Sequence, residues 1–245
     1  MGQTKVLAHR GYSSQAPENT MAAFRLAAEA DADGLELDVH LTKDGEVVVI
    51  HDETVKRTTG KKGRIRDLTL EEIRRLDAGS WFSESFNGEP IPTLDEVLSL
   101  AADKGLWLNI ELKNNKIRYP GLEQAVLERL DRYGMAGRTV LSSFNHYSLR
   151  TVHELRPDID TAILYMADLV EPWHYARHVG ASSIHPYWPT ARDEVVRGCH
   201  KAGLPVRPFT VNRQEEMRRL LHVSVEAIIT DYVTRLLDER NATGS

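Results

Sequence analysis

One cysteine, Cys199, stands among 245 residues, so no internal disulfide braces the fold; the composition is compatible with a reducing cytosol, and a cytoplasmic location is expected. No apolar run approaches the ~18 residues a membrane span needs, so no stable membrane insertion is expected. The opening stretch, MGQTKVLAHRGY, has neither the apolar core nor the cleavage site of a signal peptide. A basic excess is also missing. Lys and Arg number 31 against 36 Asp and Glu, a formal net charge of −5, which argues against a nucleic-acid partner. No Gly-x-Gly-x-x-Gly follows the first strand-like run, which weighs against a dinucleotide-binding sheet. There is no low-complexity segment and no interdomain linker. What is present is an ordinary globular balance, 41% hydrophobic and 27% charged, in a chain long enough to bury roughly 70–75% of its extended surface.

Short β-like runs alternate with helical stretches from end to end. They fall at Lys5–Ala8, Gly34–Leu41, Val47–Ile50, Leu106–Leu112, Thr139–Ser142, Thr161–Leu164, Ser182–His185, Val206–Val211 and Ala227–Thr230. Val47–Ile50 folds back on its predecessor through the Asp44-Gly45 turn; the other eight alternate with helices. Repeated β-α units at this length predict an α/β fold, a closed (β/α)8 TIM barrel, as one domain over residues 1–245. Helix starts are signalled by Thr69 with Glu72, Thr93 with Glu96 and Asn212 with Glu215, each at cap-and-acid spacing. After Thr20, the residues Met21, Phe24 and Ala28 recur at helical spacing.

Residues 53–92 break the rhythm, as a small insertion after the second strand region. They hold a Gly/Lys-rich turn (Thr58–Gly63), a short helix near Leu70–Leu76, and Trp81, Phe82 and Phe86. The segment is too long for an ordinary barrel loop and leaves from beside His51, so it is expected to cap the active end. Its basic residues Lys56, Arg57, Lys61, Lys62, Arg64 and Arg66 read as a solvated loop, and its aromatics as packing against the barrel.

Chemistry concentrates between His9 and Asp52, with one acid further on. Glu36 and Asp38 share one face of a strand, while Leu35, Leu37 and Val39 take the other. Two carboxylates turned into a barrel repel each other and lose solvation unless a cation or hydrogen-bond donors sit between them. Glu111, at the end of another run, supplies a third. Oxygen ligands of this kind suit Mg2+ or Ca2+ better than zinc; the bland reading is ordinary polar alternation on a half-exposed strand. His9 and His51 each end a β-run, at the rim where barrel enzymes place their chemistry, and imidazole titrates near neutrality. Arg10 beside His9 and Lys113 beside Glu111 are suited to phosphate contact, and taken alone each could equally be a salt-bridge partner. His40 continues the Glu36-Asp38 face and could be a fourth ligand, but is expected past the strand end, supporting or exposed. His185 ends a strand and is expected to line the same mouth.

The chain closely resembles the glycerophosphodiester phosphodiesterase family. The resemblance is carried by AHRGYSSQAPENTMAAF, DGLELDVHLTKDGEVVVIHD, LTLEEIRRLDAGSWF, IPTLDEVL, LNIELK, SSFN and PVRPFTVN, across nearly the full length. It implies a (β/α)8 barrel with a small insertion and metal-dependent hydrolysis of glycerophosphodiesters to an alcohol and sn-glycerol 3-phosphate. It also implies Glu36, Asp38 and Glu111 as metal ligands, His9 and His51 as the acid–base pair, and Arg10 and Lys113 as the phosphate contacts. Where the family commonly has Trp before Thr-Val-Asn, this chain has Phe209, which keeps an apolar wall near the glycerol pocket without the indole N–H. Two other readings compete: a lipid-directed, phospholipase D-like phosphodiesterase, which would need an apolar rim, and a silent barrel that binds phosphodiesters without cleaving them. The sequence does not decide the oligomeric state.

Overall fold

The computed structural model describes residues 3–243. Its elements run β1 (Lys5–His9), α1 (Met21–Glu29), β2 (Gly34–Leu41), β3 (Val47–Val49), α2 (Lys56–Thr59), α3 (Leu70–Arg74), α4 (Leu94–Lys104), β4 (Trp107–Leu112), α5 (Leu122–Arg132), β5 (Thr139–Ser143), α6 (His146–Leu155), β6 (Asp160–Tyr165), α7 (Pro172–Val179), β7 (Ser183–Pro186), α8 (Asp193–Lys201), α9 (Gln214–His222), β8 (Ala227–Thr230) and α10 (Val233–Thr243). Seven strands pair in parallel in the order β7-β6-β5-β4-β2-β1-β8, and β3 lies antiparallel on β2. The fold is a (β/α)8 barrel.

The eighth parallel position is filled by residues 206–211, expected as a regular strand and found instead as a chain held by separate bonds. On one side Arg207 N donates to Ile184 O (3.0 Å) and Phe209 N to Pro186 O (3.1 Å). On the other, Glu226 N donates to Val206 O (3.1 Å) and Val211 N to Ile229 O (2.8 Å). Pro208 has no N–H to give, so the ladder is interrupted where the ring closes. A second correction lies next to it. Asn212 does not cap α9, which begins at Gln214 after Arg213 without a side-chain cap; its amide is used elsewhere, as described below. The boxes at Thr69 and Thr93 form as expected.

Leu35, Leu37 and Val39 face the helices and share a core with Phe24, Leu94 and Leu98. Inside the barrel, Leu7, Ala227 and Ile229 pack together, with Trp107 and Phe209 against them. The insertion has its own apolar centre, built by Val48, Ile50, Val55, Ile65, Ile73, Ala78 and Ile91, so its position relative to the mouth is fixed by burial. Among the described residues, no helix is long and apolar enough to cross a membrane.

Candidate active site

Period-2 alternation turns Glu36, Asp38 and His40 of β2 into the barrel. Register does the rest: Asp38 lies opposite Glu111 of β4, and Glu36 opposite His9 of β1. One carboxylate oxygen each from Glu36, Asp38 and Glu111 lies within 4.8 Å of the others, and all three residues are buried. Local backbone geometry supports the group. Arg10 adopts a left-handed conformation (φ 56°), costly for a side chain with a Cβ, and its N–H donates to Glu36 Oε2 at 3.0 Å. Gly11 follows at φ 81°, so close to α1 that an added Cβ would meet the Ala23 backbone at 2.7 Å. Asn19, also left-handed, donates from Nδ2 to Asp38 Oδ2 at 2.9 Å.

The electrostatics separate the three acids. Burial would raise the Asp38 carboxyl, but Lys113 and Arg10, with His51 and the Asn19 bond, hold it well below the usual range. Burial and the Asp38 charge push Glu36 well up. Burial raises Glu111 to about 7 despite Lys113, whose Nζ donates to Glu111 Oε1 at 2.9 Å and lies 3.5 Å from Asp38. Arg10 Nε is 3.4 Å from Asp38 Oδ2 without a hydrogen bond of its own. Three converging acids, two of them raised by burial and by the charge of Asp38, fit a cation.

Both expected imidazoles reach the mouth, and each is anchored through Nδ1. His51 Nδ1 lies 2.8 Å from Asp52 Oδ1. His9 Nδ1 lies 2.6 Å from Asp231 Oδ1, a partner that sequence reasoning missed. Although burial works against it, bonds from His9, Asn212 and Ser13 bring Asp231 to about 2. Ionised, it accepts, which places a His9 proton on Nδ1 and turns Nε2 towards the site, 3.9 Å from Glu36. The Asn212 amide donates to Asp231 Oδ2 at 2.6 Å, and its oxygen accepts from Asp231 N at 3.0 Å. The signal was a polar residue directly after the last strand, β1's neighbour once the barrel closes. Burial lowers the His51 ring, with Asp38 and Asp52 opposing.

His40 lies within β2 and is fully buried, not exposed past the strand end. Its Nε2 donates to the backbone oxygen of His51 at 3.2 Å while Nδ1 meets Tyr119 Oη at 2.9 Å, so it fixes the chain that carries His51. Burial lowers it to about 4.

A cleft of about 300 Å3 opens beside His9 and Arg10, bordered by Glu18, Asp231, Tyr232 and Trp81. Trp81, expected to pack the insertion onto the barrel, instead edges this cleft with 43% of its surface exposed. Its Nε1 donates to Ala78 O at 2.8 Å. Phe209 is half-buried on the closing segment, edge-on to Phe144 at 5.9 Å; the next residue, Thr210, brings Oγ1 within 3.4 Å of His9 Nε2. His185 does not take the mouth position expected of it. It is wholly buried inside the barrel, its Nε2 3.4 Å from Arg207 Nη1, and it does not border the cleft.

A (β/α)8 barrel whose mouth gathers three acids that could hold a cation, two cationic side chains and two anchored imidazoles has the parts that a phosphoric ester hydrolase needs. Comparison with known proteins sharpens this. The glycerophosphoryl diester phosphodiesterase family matches residues 9–235. A glycerophosphodiester phosphodiesterase of Caldanaerobacter subterraneus is 51% identical over 229 residues, covering 94% of each chain. One from Bacillus altitudinis is 42% identical over 240 residues, covering 97% of this chain and 98% of its own. A phosphodiesterase of Oleispira antarctica, solved in complex with the product sn-glycerol-3-phosphate, superposes with a TM-score of 0.90 at 32% identity, over 98% of this chain and 97% of its own. The chain belongs to the glycerophosphoryl diester phosphodiesterase family, and its activity is that of a glycerophosphodiester phosphodiesterase.

Proposed function

We propose that the chain hydrolyses glycerophosphodiesters to an alcohol and sn-glycerol 3-phosphate, with Glu36, Asp38 and Glu111 holding Mg2+ or Ca2+ and with His9 and His51 transferring protons. The observation that carries this reading is the convergence of three buried carboxylate oxygens within 4.8 Å, at a rim that also presents two imidazoles. The all-oxygen donor set suits a hard cation, which would offset the burial and the Asp38 charge that raise the Glu36 and Glu111 carboxyls. Held by these three carboxylates, a divalent ion would supply charge neutralisation and Lewis-acid polarisation.

The chain's own groups do the rest. Arg10 and Lys113, both close to Asp38, stabilise the negative charge carried by the phosphoryl oxygens in the transition state. One imidazole, neutral with its proton on Nδ1, accepts the nucleophile's proton at Nε2, and the other, as imidazolium, gives its Nε2 proton to the departing alkoxide; Asp231 and Asp52 hold the Nδ1–H of each ring. Phe209, packed edge-on against Phe144, offers an apolar wall for the glycerol moiety. The test is release of sn-glycerol 3-phosphate from glycerophosphocholine with and without EDTA. Activity lost to chelation and restored by Mg2+ or Ca2+ supports the reading, and activity indifferent to chelation contradicts it. A second reading, cleavage of a lipid-borne ester, draws on the exposed indole of Trp81 at the cleft. It calls for turnover of intact lysolipid in the same assay.

A further inference from the structure

By sequence Arg57 is one of six charges on the insertion expected to be solvated, and the structure gives it a different setting. Its guanidinium forks twice. Nη1 and Nη2 donate to Glu18 Oε2 (2.8 Å) and Oε1 (2.7 Å), while Nε and Nη2 donate to Asp52 Oδ2 (2.9 Å) and Oδ1 (3.2 Å). Neither carboxylate ends there. Glu18 Oε1 also accepts from Arg10 Nη1 at 2.9 Å, and Asp52 Oδ1 also accepts from His51 Nδ1 at 2.8 Å. A single nitrogen, Nη2, therefore touches both oxygens that hold the two site residues.

We propose that Arg57 is a positioning residue that locks His51 and Arg10 into one unit, so that the group moving the proton and the group meeting the phosphate are set together from the insertion. The proposal rests on the roles given to His51 and Arg10 above. An exposed ion pair ordinarily contributes little, but paired bidentate contacts within a network are the exception. The ends of this network are less exposed than its middle: side-chain exposure is 41% at Arg57 but 14% at Glu18 and 19% at Arg10. Both carboxylates are held in the ionised form. Burial works against it, yet Arg57 first and His51 next bring Asp52 to about 2, and Arg57 with Arg10 lowers Glu18. Lys at position 57 would keep the charge but lose the planar fork, so it could serve one carboxylate at a time.

The test is steady-state kinetics on glycerophosphocholine for Arg57→Ala and Arg57→Lys, beside His51→Ala and Arg10→Ala. Arg57→Ala is also measured in Asp52→Asn and Glu18→Gln backgrounds. Misplacing two site groups at once predicts a fall in kcat/KM of about 10–100-fold, divided between a lower kcat and a higher KM. The kcat part should disappear in the Asp52→Asn background and the KM part in Glu18→Gln, while Arg57→Lys recovers one part and not both. Arg57→Ala within twofold of the parent in both constants, beside impaired His51→Ala and Arg10→Ala, overturns the clamp. Full additivity in both backgrounds does the same. If Arg57→Ala does not fold, Arg57→Lys carries the test, and parental kcat and KM in it overturn the proposal. Near-parental His51→Ala and Arg10→Ala would instead overturn the catalytic assignment, and the clamp with it.

Discussion

His9 and Asp231 meet at 2.6 Å although 222 positions separate them in the chain. The barrel brings them together by pairing its first strand with its last, Ala8 opposite Thr230. His9 therefore depends on closure of the whole ring for its anchor. Replacing Asp231 by Asn keeps the volume but removes the charge that fixes the Nδ1 proton. A loss in kcat of about 10–100-fold is expected, the scale for partners that orient a functional histidine, with the thermal midpoint little changed. A kcat within twofold of the parent would show that the contact is ornamental.

The imidazoles themselves should matter more. His9→Ala and His51→Ala are each expected to lower kcat by about 10²–10⁴-fold, the usual contribution of acid–base groups, with circular dichroism unchanged. Parental turnover in either variant removes that ring from the reaction.

Buried His40 links the site to acid stability. Its folded value of about 4 lies below the unfolded value of about 6.5. Between those values the unfolded chain binds the extra proton, so stability falls as pH drops from about 6.5 to about 4, with no further loss from this group below. The difference amounts to about 3 kcal/mol. Urea unfolding at pH 7 and pH 5 should show a smaller loss in His40→Gln than in the parent. Equal losses would mean His40 is not kept neutral by burial.

Gly11 tests the local geometry beside Arg10. A Cβ there combines a left-handed backbone with a 2.7 Å approach to Ala23. Left-handed strain of about 1–2 kcal/mol and overpacking of about 1–3 kcal/mol together put Gly11→Ala roughly 2–5 kcal/mol below the parent. A denaturation midpoint equal to the parent's would contradict this.

Much of this was legible in the sequence, for a physical reason. Strand alternation in GLELDVHL fixes which side chains turn inward, so Glu36 and Asp38 could be placed together from spacing alone, and the segment Gly34–Leu41 forms as expected. Thr69 and Thr93 could be read as caps because the bonds they make are local. Residues whose partners lie elsewhere in space were not legible. Asn212 carries the cap signal yet bonds to Asp231 across the closing seam. Arg57 looks like loop charge until Glu18, 39 positions earlier, is folded against it. Residues 206–211 have the apolar content of a strand, but Pro208 breaks its ladder. Trp81 reads as packing because no spacing rule tells an aromatic lining a cleft from one filling a core.

The most direct measurement is calorimetric titration of Mg2+ or Ca2+ into chelator-treated protein, comparing the parent with Asp38→Asn and Glu111→Gln. One ion per chain in the parent, with binding lost or sharply weakened in both variants while they remain folded, is the predicted result. Undiminished binding in both variants, or none in the parent, would contradict a cation held by Glu36, Asp38 and Glu111.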